Sequence, residues 1–350
     1  MPRVRQEATW PEGELVHIMH HSQVLEGNPW GDPCLRRISV YLPHGYDKNG
    51  VPYVSLWDLA AFTNSGPGHL NWRHQGENLP QRLDRLIFEG KLPPVIVIFP
   101  DCYTSLGGNQ YVNSVSVGPY ADYLNNELLP LVSRKFNVVD DASGRGAFGK
   151  SSGGYGAMSL AMRYPKLWGA VASHAGDVGF DLVYRPEFPL AAAMLNECKG
   201  NVVRFLEQFW RNKNPGKAHY STLMTIAMAA SYDADESDPE NIRLPFDLKT
   251  CALDEERWAN WQAHDPLNMV DQHVVALRNL KILYLDVGSR DQYNIQFGTR
   301  KLSNKLEKLG VRHHFEEFDG THSGMDWRLD ISLPLIANAL LTDLNMESQT

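Results

Sequence analysis

Apolar residues along this chain fall into short dense runs set between stretches with helical spacing. Runs at 37–42 (RISVYL) and 53–59 (YVSLWDL) predict strands joined across a turn at 44–50 that is rich in Gly, Asp and Asn. A helix is expected over 79–89, followed at 94–99 (PVIVIF) by the continuous apolar run of a strand buried on both faces. Residues 120–134 carry helical spacing, 145–149 read as a short strand, and 154–163 (GYGAMSLAMR) as a small-residue helix stopped by Pro165. Strands at 169–173, 281–286 and 313–318 and helices at 299–309 and 331–344 complete the set. Strands alternating with helices predict an α/β fold, a mostly parallel sheet covered on both faces, with the first hairpin antiparallel at one edge.

Between 179 and 275 the alternation fails. That stretch holds helical patterns at 191–210 and 222–232 and an acidic loop at 233–239, with no convincing buried strand. Its apolar stripes need a partner surface. The expectation is therefore one domain over 1–350, carrying 179–275 as a cap-like helical insertion over one end of the sheet.

Composition narrows the function. Hydrophobic residues at 43% and charged residues at 21% exclude a disordered chain. The net charge of −8 comes without a basic stripe, so nucleic acid and anionic membrane are not expected partners. No apolar run approaches a bilayer span, and no apolar core follows the first charged residues as a secretory signal requires, so the expected compartment is the cytoplasm. The four cysteines (Cys34, Cys102, Cys198, Cys251) form no CxxC pair and are expected as free thiols.

The stretch 144–154, GRGAFGKSSGG, satisfies two motifs at once. Gly144, Gly149, Lys150 and Ser151 fit the phosphate-binding P-loop, whereas Gly149, Ser151 and Gly153 fit the nucleophile elbow G-x-S-x-G. A P-loop needs a buried strand ending before its first Gly, yet 138–143 (VVDDAS) is polar and places two carboxylates where a triphosphate would sit. The elbow uses every residue: a strand ends at Gly149, the turn strains Ser151, and flanking glycines relieve the crowding.

An elbow requires an acid and then a histidine downstream, each just past a strand end. The 281–286 strand runs into GSRD, ending at Asp291, and the 313–318 strand into DGTHSG, which contains His322. Order and position agree with a Ser151–Asp291–His322 triad. Ser151 is then the nucleophile, His322 the base and later the acid, and Asp291 the group that fixes the imidazole tautomer. The backbone N–H of Ser152, the residue after the nucleophile, is one oxyanion donor.

With these motifs the chain resembles the esterase D family of α/β-hydrolases, which includes S-formylglutathione hydrolases, enterochelin-type and feruloyl esterases, and mycolyltransferases. The resemblance runs through GNPWGDP (27–33), YLPHGYD (41–47), FGKSSGGYGAM (148–158), SHAGD (173–177), LDVGSRDQYN (285–294) and FDGTHSGMDWR (318–328). It implies an α/β-hydrolase fold, a serine esterase acting through an acyl-enzyme without a cofactor, and the same three triad residues. It also implies a second oxyanion donor after the third strand. The matching stretch is 59–66 (LAAFTNSG), where Phe62 N–H takes that place and Ala61 replaces a glycine. Self-association is common in the family, so a homo-oligomer is expected.

Several residues compete for roles. Asp286 lies inside a strand pattern, and Asp177 follows the strand after the nucleophile helix, so Asp291 is preferred as the acid. Asp177, with His174, is expected to line the pocket. Tyr103, Gln110 and Tyr111, on the loop after the central strand, are candidates for contact with a small-molecule ester. Lys150 reads as a solvated or packing residue. His17, His20 and His21 lie on a strand-like pattern with no carboxylate or Cys to complete a set, so no metal is expected. A thioesterase or acyltransferase would use the same triad. A non-catalytic binding module would need that triad broken.

Overall fold

The structure, a computed structural model, describes residues 10–74 and 76–347. Eight strands form one sheet: β1 (Glu14–His21), β2 (Leu35–Leu42), β3 (Ser55–Leu59), β4 (Ile96–Phe99), β5 (Arg145–Lys150), β6 (Ala170–His174), β7 (Ile282–Gly288) and β8 (His314–Phe318). Their order is β1-β2-β4-β3-β5-β6-β7-β8. All neighbours from β4 to β8 pair in parallel, while β2 runs antiparallel to both β1 and β4. The mostly parallel α/β sheet is therefore as the alternation predicts.

The edge differs from expectation. The 37–42 and 53–59 strands are not neighbours, because β4 lies between them, and the antiparallel edge pair is β1 with β2. Burial explains the order. Every residue of β4 is buried, so its apolar run belongs inside the sheet, whereas β1 alternates exposed and half-buried positions along its length and suits the edge.

Helices cover both faces. On one, α1 (Leu79–Phe88) and α8 (Leu329–Glu347) bury Leu83, Leu86, Leu333, Ile336 and Leu340 against Leu56, Val97, Phe148 and Tyr284. On the other, α2 (Ser152–Arg163) and α7 (Ile295–Lys308) pack Met158 and Leu302 into the larger core. α1 starts with a full capping box, in which Asn78 and Gln81 each satisfy the other's backbone N–H.

Between β6 and β7 lie α3 (Phe188–Glu197), α4 (Val202–Arg211), α5 (Lys217–Tyr232) and α6 (Glu255–Gln262). The helical pattern at 191–210 is in fact two helices, because Lys199 and Gly200 both take left-handed backbone angles (φ 56° and 74°) that end the first. Aromatic rings tie this region to the sheet layer. Tyr232 stacks on Phe180 at 5.2 Å, Trp261 meets Tyr184 at 5.8 Å, and Phe180 reaches Tyr155 of α2 at 6.1 Å. The four cysteines are free.

Candidate active site

β5 ends at Lys150 and α2 begins at Ser152, which leaves Ser151 alone in the turn at φ 56°, ψ −124°. That backbone strain in a non-glycine residue is held by its neighbours, including the Ser151 N–H donated to the His174 carbonyl at 2.9 Å. The strand occupies the stretch that a phosphate loop would need, so the P-loop reading fails. The turn is tight because β3 passes close by: a Cβ on Gly153 would lie 1.8 Å from the Leu59 carbonyl oxygen. Gly153→Ala must therefore displace backbone, and is expected to destabilise the fold by more than about 3 kcal/mol in urea titration.

Downstream, the two loops meet as the spacing implies. His322 Nδ1 lies 2.7 Å from Asp291 Oδ2, both side chains being buried, and Asp291 Oδ1 accepts the Tyr293 N–H at 2.8 Å. Gln292 accepts the His322 backbone N–H at 3.0 Å, and the Tyr293 ring packs edge-on against the imidazole at 4.9 Å. Ser151 and His322 line one cavity of about 600 Å³, whose walls include Phe62, Tyr220, Met224 and Tyr293. Ser152 opens α2, so its N–H has no acceptor within the helix. Ala61 and Phe62 reach the same cavity from the end of β3.

Asp286 has a different engagement. Its carboxylate takes His174 Nδ1 at 2.8 Å on one oxygen, and Arg328 Nε at 2.8 Å and the Tyr284 hydroxyl at 3.0 Å on the other. Burial pulls the Asp286 pKa up, but the charge and hydrogen bonds of His174 and Arg328 outweigh that and hold it below the ordinary carboxylate value. His174 Nε2 is in turn 2.9 Å from Ser332 Oγ. Ser332, His174 and Asp286 thus repeat the bonding order of a Ser–His–Asp triad, with Ser332 and Asp286 fully buried.

The Ser151 hydroxyl rests 3.2 Å from Asp177 Oδ1. Asp177 also takes the Ser152 hydroxyl at 3.2 Å and the Tyr184 hydroxyl at 2.8 Å. Behind Ser152, Gln110 donates to its Oγ at 2.7 Å and accepts from Tyr232 of α5 at 3.2 Å. Burial raises the Asp177 pKa, partly offset by Tyr184 and the charge of His322. A carboxyl raised in the folded state stabilises fully below its unfolded value, near 3.8, and loses that contribution as pH climbs through its folded value. Asp177→Asn keeps the size and never ionises. Its melting temperature is expected to gain on wild type as pH rises from 4 to 8, with the two converging toward pH 4; a gap independent of pH would contradict this.

The other sequence candidates land differently. Asp177 lines the cavity as expected, while His174 is sequestered in the Asp286 network. Gln110 and Tyr111 are buried, the latter donating its hydroxyl to the Ala60 carbonyl at 2.6 Å. Tyr103 packs on Trp210 at 6.4 Å, and its carbonyl accepts from Arg36. None of these three is among the residues lining the cavity, because the 101–114 loop folds down onto the core instead of standing at the rim. The wall is built instead by α5 (Lys217, Tyr220, Met224) and by Tyr293 and Ile295. The last two lie within four residues of Asp291, and apolar residues just past the expected acid were the available signal. Lys150, expected to be solvated or packing, lines the cavity, and burial pushes its amine pKa down.

A family model described as "Putative esterase" matches residues 33–336. The chain belongs to that esterase family. Among curated proteins, this family member is 34% identical to the esterase Rv1288 of Mycobacterium tuberculosis over 65% of the chain and 42% of the relative. It is 27% identical to the uncharacterized protein YbbA of Bacillus subtilis over 42% of the chain and 58% of the relative. The chain thus spans less than two thirds of the length of these relatives. Among solved structures, a ferulic acid esterase superposes with a TM-score of 0.61 at 19% identity, over 94% of this chain and 99% of that one. An S-formylglutathione hydrolase from Agrobacterium tumefaciens gives 0.55 at 17%, over 96% and 99%. The fold is that of the α/β-hydrolase esterases. Among the described residues, no helix is long and apolar enough to cross a membrane.

Proposed function

We propose that this chain hydrolyses carboxylic esters of small molecules through an acyl-enzyme on Ser151. The observation that carries the reading is the joint placement of a strained elbow serine and an Asp291-bonded His322 on one cavity wall. The Ser151 hydroxyl turns from Asp177 to His322, which takes its proton as the oxygen attacks the ester carbonyl. Asp291 holds the imidazole in the tautomer that presents Nε2 and stabilises the imidazolium. The N–H groups of Ser152 and Phe62 receive the oxyanion. His322 then protonates the leaving alcohol, and a water deprotonated by the same imidazole releases the acid. Thioester hydrolysis and acyl transfer would share the acyl-enzyme and differ only in leaving group or acceptor.

The test is labelling with a fluorophosphonate followed by peptide mass spectrometry. One adduct, on Ser151, is expected, and none after pre-treatment with a slowly deacylating ester. An unlabelled protein, or an adduct elsewhere, would refute the assignment.

A further inference from the structure

A second cavity, of about 270 Å³, lies behind the first and shares Ala61, Lys150 and Ser323 with it. Its lining is strongly charged, and almost every charge is already matched. Asp58 is bonded to His69, Asp326 to Arg73, and Arg82 to Asp330. Glu77 takes Arg85 Nε at 2.7 Å. Lys150 is the exception: half-buried and next to Ser151 in sequence, its amine makes no side-chain hydrogen bond or close ion pair with a described residue and feels Asp326 and Asp291 only at longer range.

That leaves the amine open to the cavity, where an anion of suitable reach can take a charge-assisted hydrogen bond from it. Lys217 adds a second positive charge to the wall of the larger cavity, and its own carboxylate contact, Glu187, is loose at 3.9 Å. On a chain of net charge −8, Lys150 and Lys217 outnumber the carboxylate that lines the larger cavity, Asp177, which is a local inversion of sign.

From this arrangement we infer that the substrate is an ester bearing a carboxylate, whose anionic arm enters the smaller cavity and is held by Lys150 while the ester carbonyl lies at Ser151. The inference rests on the hydrolase reading and narrows its substrate class. Lys150 is the specificity residue, and Lys217 adds to attraction at the mouth. Burial lowers the Lys150 pKa, and a carboxylate seated beside it acts in the opposite direction, favouring the charged amine.

The test compares matched esters by pH-stat: ethyl hydrogen adipate against ethyl hexanoate for an anion on the acyl arm, and carboxymethyl butyrate against ethyl butyrate for one on the alcohol arm. Wild type is expected to favour the acidic member of at least one pair by about tenfold or more in kcat/KM, the scale of one charge-assisted hydrogen bond. Lys150→Met is expected to abolish that ratio and Lys150→Arg to retain most of it. A ratio well short of tenfold in both pairs, or one that survives Lys150→Met, overturns the inference. Should Lys150→Met fail to fold, competitive inhibition of wild type by adipate decides, since its neutral dimethyl ester must compete far less well. Absence of all turnover and of the Ser151 adduct would reject the hydrolase reading separately. Calorimetric binding of adipate to wild type, absent in Lys150→Met or Lys150→Gln, then reads the subsite by itself.

Discussion

Ser151→Ala is expected to lower kcat for a simple alkyl ester by about a million-fold, with the fold intact. Removing the hydroxyl ends the covalent route, and the surviving histidine and oxyanion donors leave only the small residual acceleration of a preorganised pocket. Serine and alanine have the same Cβ, so the strained backbone at φ 56° is no worse with alanine. One hydrogen bond, that to Asp177, is lost from the folded state. The measurements are single-turnover kinetics and thermal melting. Retention of more than about a tenth of wild-type turnover would remove Ser151 from the mechanism.

Asp291→Asn is expected to reduce kcat by about ten-thousand-fold while changing KM little. An amide can keep the Tyr293 N–H bond through its carbonyl oxygen, so the loop stays in place. Toward His322 it presents either an N–H, which turns the imidazole to the wrong tautomer, or an uncharged oxygen that no longer supports the imidazolium. Asp286 cannot take over, because both of its oxygens are engaged by His174, Arg328 and Tyr284. Asp177 already touches the Ser151 hydroxyl and is the carboxylate that could do so. A loss of only about tenfold in Asp291→Asn, together with a large one in Asp177→Asn, would therefore move the acid to the loop after β6.

The candidate site of this chain is written locally and its walls are not. An elbow is a contiguous motif, and its partners follow two further strand ends, so the positions of Ser151, Asp291 and His322 can be read from spacing alone. The choice of Asp291 over Asp286 also follows from sequence, since a residue inside a strand pattern is held by the sheet. Strand neighbours are another matter. Nothing in 37–42 or 53–59 says that the 94–99 run will come between them, because pairing is decided by which strand can be buried on both faces. The 179–275 stretch gives helices whose breaks depend on single left-handed residues such as Lys199, and the cavity wall on α5 depends on how those helices dock. Tyr103, Gln110 and Tyr111 illustrate the same limit: a loop at the correct end of the sheet can still turn its side chains into the core. The Ser151–Asp177 bond and the position of Lys150 on both cavities are relations between distant segments that become visible only in three dimensions.

The Ser332–His174–Asp286 network gives the candidate site an internal control. Ser332, on α8, is bonded to a histidine with a carboxylate behind it and is fully buried, whereas Ser151 shares an open cavity with the second such pair, His322 and Asp291. A histidine–carboxylate pair is common to the surroundings of both serines and access is not. Any difference in their reactivity toward one electrophile, in one solution and at one pH, therefore measures what an open path and a strained turn add to a hydrogen-bonded triad.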